Sequence, residues 1–230
     1  MSQTFIKKAG QFLGRGVDFR VKVNFQVSYG RILDAKRKFL EASRAFVSIA
    51  ADSRIAEEDA THLLKKAMTC AVLAPAGPQR TRILGKLCKD GRTPALPNYQ
   101  IVESMYRMKL LGAQEVASFA ESLMPHQKAT LSDGSTVLQA AVNEHNILAC
   151  AELYDNIAFE ELGSLLNIPP NSAETVAARM IGEHRLEGFI DQVEGFVNFG
   201  TDHGSSASKG VRVGRLCSSI NQAVEAIITS

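Results

Sequence analysis

Residues 156–199 read NIAFEELGSLLNIPPNSAETVAARMIGEHRLEGFIDQVEGFVNF, and the order of signals in this stretch decides the fold. Asn156 to Phe159 is short and apolar enough for a strand. Glu160 to Asn167 predicts a short helix that buries Leu162, Leu165 and Leu166. Ile168-Pro169-Pro170-Asn171 is a turn. Ser172 is placed to N-cap a second helix reaching Leu186, with Val176, Ala177, Met180 and Ile181 on one face. Gly188–Gln192 and Gly195–Phe199 are aromatic and β-branched runs about a polar turn, which predicts a hairpin. Strand, helix, turn, helix, hairpin is the order of a winged helix.

Upstream, the apolar positions Val27, Ile32, Leu33, Phe39, Leu40, Phe46 and Val47 recur at helical spacing and predict one helix from Val27 to Ala51. Ser53 is the expected N-cap of the next, which carries Leu63, Leu64, Ala67, Cys70 and Ala71 and stops at Pro75-Ala76-Gly77-Pro78, where proline lacks a donor. Further helices are expected over 79–89, 98–111, 113–124 and 137–154. Helices of this length joined by Pro/Gly turns predict stacked helical hairpins. The domains expected are an unmatched segment 1–26, helical repeats 27–136, the winged-helix part 137–200, a Gly/Ser-rich linker 201–210, and a C-terminal amphipathic helix 211–230. The fold class is mainly α.

Helical hairpins running into a winged helix resemble the layout of the PCI-domain family, which builds the proteasome lid, the COP-nine signalosome and translation initiation factor three. The wording of several motifs is closer still to the subunit 4 family of the signalosome. They are Leu123-Met124-Pro125-His126-Gln127-Lys128-Ala129, Glu144-His145-Asn146-Ile147-Leu148, Phe159-Glu160-Glu161-Leu162-Gly163, Gly188-Phe189-Ile190-Asp191-Gln192 with Gly195, and Arg31-Ile32-Leu33-Asp34 with Arg37-Lys38-Phe39. This resemblance implies a non-catalytic scaffold subunit, in a complex that removes the ubiquitin-like modifier Nedd8 from cullins and so regulates cullin–RING ubiquitin ligases. It implies other signalosome subunits as partners, met through winged-helix packing and a C-terminal helical bundle, with cullin–RING ligases as further contacts. Family members are longer, with more repeats before this region; the resemblance spans about residues 27 to 200, and residues 1–26 carry no motif of it. Two other readings stand beside it: a proteasome-lid subunit, which shares the layout, and a winged-helix nucleic-acid binder.

Catalytic patterns are absent from the sequence. His62, His126, His145, His184 and His203 form neither His-x-His nor His-Glu-x-x-His, so no metal site is expected. Gly85-Lys86 follows Gly77 at the wrong distance for a phosphate loop, and Leu87 stands where a hydroxyl would hold magnesium. No cofactor is expected. Cys70, Cys88, Cys150 and Cys217 are scattered, which suits buried free thiols in a reducing compartment, cytoplasm and nucleus. No apolar run is long enough for a bilayer, and no secretory leader is expected.

Charge separates the function classes. Residues 1–50 hold ten basic and three acidic side chains, while residues 138–200 hold two basic and ten acidic. A duplex binder neutralises phosphates with Lys and Arg, so the winged helix is not expected to bind DNA. Protein contacts are expected at Phe196, Val197 and Phe199 on the hairpin. Along the C-terminal helix, Val213, Leu216, Ile220, Ala223 and Ile227 form an apolar seam with Leu216, Ile220 and Ile227 as anchors.

Overall fold

Phe19 begins a helix that ends at Ala35 (α1), well short of the break the apolar periodicity predicts. The structure, a computed structural model, describes residues 18–131 and 134–200. The predicted helix over 27–51 is two elements, α1 and Phe39–Ala50 (α2). Arg37 N donates to Asp34 O at 2.8 Å and Lys38 N to Leu33 O at 2.9 Å, with Arg37 at φ 59°. That is a Schellman ending, whose left-handed position usually belongs to glycine. Arg37 carries no breaker signal, so the apolar pattern runs across a turn it cannot reveal.

The turn lets both helices use their apolar faces on one core. Gly30 on α1 lies against the Phe46 ring of α2; a Cβ there would meet Phe46 Cε1 at 2.7 Å. Next come Glu57–Leu73 (α3), Pro78–Lys89 (α4), Tyr99–Tyr106 (α5), Ala113–Glu121 (α6) and Val137–Leu153 (α7). Helix α1 packs on α2, α2 on α3, and α4 on α5, as hairpins do. Phe46, Leu64, Met68, Leu84, Leu87, Met105 and Phe119 are buried in one continuous core. Each such side chain contributes about 1.5–3 kcal/mol over its exposed state.

Other expected ends move for physical reasons. Ser53 caps nothing: α3 starts at Glu57, with Glu57, Glu58 and Asp59 in its first turn, where carboxylates favour the positive helix end. The helix expected over 98–111 stops at Tyr106. Met108, at φ 54°, closes it with the same ending, Lys109 N donating to Ser104 O.

The chain divides into two compact units between Cys150 and Ala151. The second contains Asn156–Ala158 (β1), Phe159–Leu166 (α8), Pro170–Gly182 (α9), Gly188–Asp191 (β2) and Phe196–Phe199 (β3). The strands form one antiparallel sheet in the order β1-β3-β2. The winged helix is therefore present, with local corrections. Pro170, not Ser172, opens α9, because proline suits the first helical position. Helix α9 ends at Gly182, since His184 at φ 55° closes it before Leu186. Leu165, expected inside, is exposed, because Phe159, Leu162, Gly163 and Leu166 occupy the inward stripe of α8. Gly163 allows the α8–α9 turn to close: a Cβ there would meet Ile168 O at 2.8 Å.

Candidate functional site

Two features set the surfaces this chain can offer: polar clamps that fix the helical unit, and the outer face of the winged-helix sheet.

The clamps use the motif residues. Glu144, His145 and Asn146 are consecutive on α7 and buried, yet each serves a different connection. Glu144 Oε2 accepts from Ala76 N at 3.0 Å, in the turn between α3 and α4. His145 Nε2 donates to Lys109 O at 2.8 Å. Asn146 accepts from Leu111 N at 2.9 Å and donates to Leu111 O at 3.2 Å. Irregular backbone under a core needs such partners, because an unmet buried N–H or C=O is costly. The Pro125 motif works similarly on α1. Gln127 Nε2 donates to Asp34 Oδ1 at 3.0 Å, its Oε1 accepts from Met124 N at 3.1 Å, and His126 Nε2 lies 3.1 Å from Asp34 Oδ2.

These contacts decide what the candidate chemical groups do. Burial is the main force holding His145 down to about 4, so it is neutral at physiological pH and its ring bond is structural. Burial first, and Asp34 second, push the Cys70 thiol far above its ordinary range, away from nucleophilic thiolate. Cys150 is buried as well, whereas Cys88 is only partly covered, and Cys217 lies outside the described residues. Ser43 Oγ donates to Ala67 O at 2.7 Å and joins α2 to α3. Among the described residues no three His, Cys, Asp or Glu side chains converge on a metal position. No helix among them is long and apolar enough to cross a membrane.

In the second unit, register sorts the hairpin residues by face. Ile157, Val197 and Ile190 lie in one row across the sheet. Ile157 and Val197 are fully buried in a core with Leu162, Ala173, Ala177, Met180 and Leu186. Val197 is thus a core residue of the winged helix and cannot form a protein contact surface; its central strand turns it inward between two partners. Strand residues alternate, so Phe196 and Asn198 face outward. Phe196 pairs with Ala158 and Asp191, and Asn198 with Asn156 and Phe189. Phe196, Phe189 and Phe199 are all partly exposed, and Phe196 and Phe189 share the outer face. The interface candidate accordingly shifts from Val197 to Phe189, which the alternation of the strands could have identified.

The hairpin tip adds Val193, 94% exposed. Asp191 Oδ1 accepts from Val193 N and Glu194 N, and Gly195 N donates to Asp191 O, a turn that holds the valine outward. No periodic pattern flags a single apolar residue at a turn tip. Around this face the charge is acidic, and Arg185 is held by Glu183 at 2.6 Å. The seam anchors Leu216, Ile220 and Ile227, with the linker at 201–210, lie outside the described residues.

A PCI domain family model matches residues 117–201. COP9 signalosome complex subunit 4 of Arabidopsis thaliana is 40% identical, over 97% of this chain and 58% of that protein. The protein of that name from Neurospora crassa is 44% identical over 91% of this chain and 48% of its own length. That from Drosophila melanogaster is 42% identical over 86% and 49%. The chain spans about half the length of the curated relatives it matches.

Proposed function

We propose that this chain, which is 40–44% identical to COP9 signalosome complex subunit 4 of several organisms and matches a PCI domain over residues 117–201, is a non-catalytic scaffold subunit of that complex. The observation that carries the reading is identity of 40–44% maintained over most of this chain. The clamps support it: the motif residues Glu144, His145, Asn146, Gln127 and Asp34 are engaged in structural bonds. Such residues rigidify a surface and leave reactive chemistry to other chains.

In this role the chain holds neighbouring subunits while a different subunit removes Nedd8 from cullins, and so it supports regulation of cullin–RING ubiquitin ligases in cytoplasm and nucleus. Its contacts with other signalosome subunits are the outward sheet face, through Phe189 and Phe196, and the apolar seam of Leu216, Ile220 and Ile227.

Affinity purification of the tagged chain at physiological salt, read by mass spectrometry, tests this. Recovery of the signalosome's metalloprotease subunit and cullins is the expected result. Recovery of proteasome ATPases instead would assign the chain to the proteasome lid. The nucleic-acid reading predicts sequence-selective, salt-sensitive duplex binding. With nine acidic and two basic side chains in residues 151–200, the expected outcome is none.

A further inference from the structure

A groove of about 980 Å³ lies between α2 and α4, wholly within the first unit. One wall is the 44, 47, 48, 51 stripe at α2 and its end, with Arg44, Val47, Ser48 and Ala51. The other is α4, with Gln79, Arg82, Lys86 and Lys89. Leu64 of α3 and Ile83 and Leu87 of α4 form the floor. Arg44 reaches across the rim, its Nη2 donating to Gln79 Oε1 at 2.7 Å.

The charge on this groove is one-sided. Four cations line it, against one carboxylate, Asp90, and that carboxylate is already held by Arg92 at 2.6 and 2.9 Å. Among the described residues no carboxylate pairs with Arg82, Lys86 or Lys89, and all three are exposed. Local helix electrostatics explains only part of this. Lys86 and Lys89 sit in the last turn of α4, where cations complement the helix dipole. Arg82 sits in the first half of the same helix, where the dipole disfavours it, and Arg44 is mid-helix on α2. Neither gains from its own helix, yet both are turned to the same opening.

We propose that this groove binds an acidic peptide segment of a partner protein. Apolar side chains of the segment would pack on the half-exposed Val47 and on the methylene stems of Arg82, Lys86 and Lys89, above the buried Leu64, Ile83 and Leu87, while its carboxylates engage the three cationic heads. Guanidinium groups favour carboxylates through paired N–H donors. The absence of any aromatic side chain among the lining residues favours a peptide over a single-stranded nucleic acid, which needs stacking platforms. The inference does not depend on which complex the chain serves.

The test is fluorescence anisotropy with the full chain and a fluorescein-labelled peptide of sequence Glu-Asp-Leu-Glu-Asp-Leu-Glu-Asp. Binding is expected to weaken at least about tenfold in the Arg82→Glu, Lys86→Glu double variant, whose melting temperature stays within about 2 °C because both side chains are exposed. Replacing both leucines of the peptide with serine should weaken binding at least about fivefold, as contact with Val47 and the methylene stems requires. Raising NaCl from about 50 to 300 mM should weaken it further, since exposed charges are screened. Equal binding by the double variant, indifference to the leucines, tighter binding of an oligouridylate, or no binding up to about 1 mM peptide would each overturn the proposal; that last limit is already weak affinity.

Discussion

The helical unit and the winged helix are built on opposite policies toward buried polarity. Every buried polar or charged side chain among the described residues belongs to the first unit: Ser43, Arg80, Thr93, Gln127, Glu144, His145 and Asn146. The second buries only apolar side chains, from Ile157 through Met180 to Val197. The difference follows from connectivity. In the winged helix short turns and a sheet satisfy the backbone, and Phe199 N, for example, closes onto Asp155 O. In the helical unit irregular segments such as 107–112 run over the core, and their N–H and C=O groups need side-chain partners. A helical array therefore adds buried side-chain hydrogen bonds across long sequence gaps to its apolar core, whereas a winged helix relies on apolar packing and the backbone bonds of its sheet.

The sharpest way to break this contrast is to remove packing where no buried side-chain hydrogen bond supports it. Met180→Ala, at a fully buried site in α9, should cost about 2–5 kcal/mol. Amide exchange should accelerate through 156–199 while the amides of α2 and α3 hold. Loss of protection in both units together would show that the two are not separate in stability.

The reciprocal change is Asn146→Leu, matched in number of side-chain heavy atoms and incapable of the two bonds to Leu111. Leaving that N–H and C=O buried and unmet should cost about 2–3 kcal/mol, read by urea unfolding. Exchange should rise at 107–112 and on α5 and α6, not in the hairpin. A near-neutral effect would mean that the clamps are dispensable.

His145 sharpens the contrast by pH. Its pKa is held down to about 4 in the folded chain by burial, below the ordinary value of 6.5. The unfolded state therefore takes up a proton first as pH falls from 6.5 to 4, so stability is full above 6.5 and declines through that window. The ring resonances of His145 should stay those of neutral imidazole at pH 5. A titration midpoint near 6.5 would contradict the buried clamp.

The smallest effects concern helix ends. Met108→Gly and His184→Gly each replace a side chain at positive φ with the residue that adopts it freely, one in each unit. Each should raise stability by up to about 1 kcal/mol. A loss at either site would show that the side chain contributes more than its backbone strain costs.

Legibility in the sequence followed the same physics. Periodicity exposed the helices, and proline marked the turn at 75–78 and the ends around 94–97 and 125. The strand–helix–turn–helix–hairpin order of 156–199 was readable because its turns carry proline, asparagine and glycine. The breaks at Arg37 and Met108 were not, since neither residue looks like a terminator. Glu144, His145 and Asn146 stood out as wording, but their bonds span 35 to 68 residues and no local pattern encodes them. On the hairpin, alternation separated Val197 from Phe196. Only the strand order β1-β3-β2, which puts β3 in the middle, turns Val197 from a surface candidate into a core residue.

On the proposed reading, this chain joins a signalosome through the outward face of its winged helix. The most direct test expresses the tagged wild type and the Phe189→Asp, Phe196→Asp double variant side by side and compares what each recovers from cells. The account predicts that the wild type recovers the metalloprotease subunit, and that the variant loses at least about tenfold of it while melting within about 2–4 °C of wild type. Equal recovery by both, or recovery of the metalloprotease subunit by neither, would contradict it.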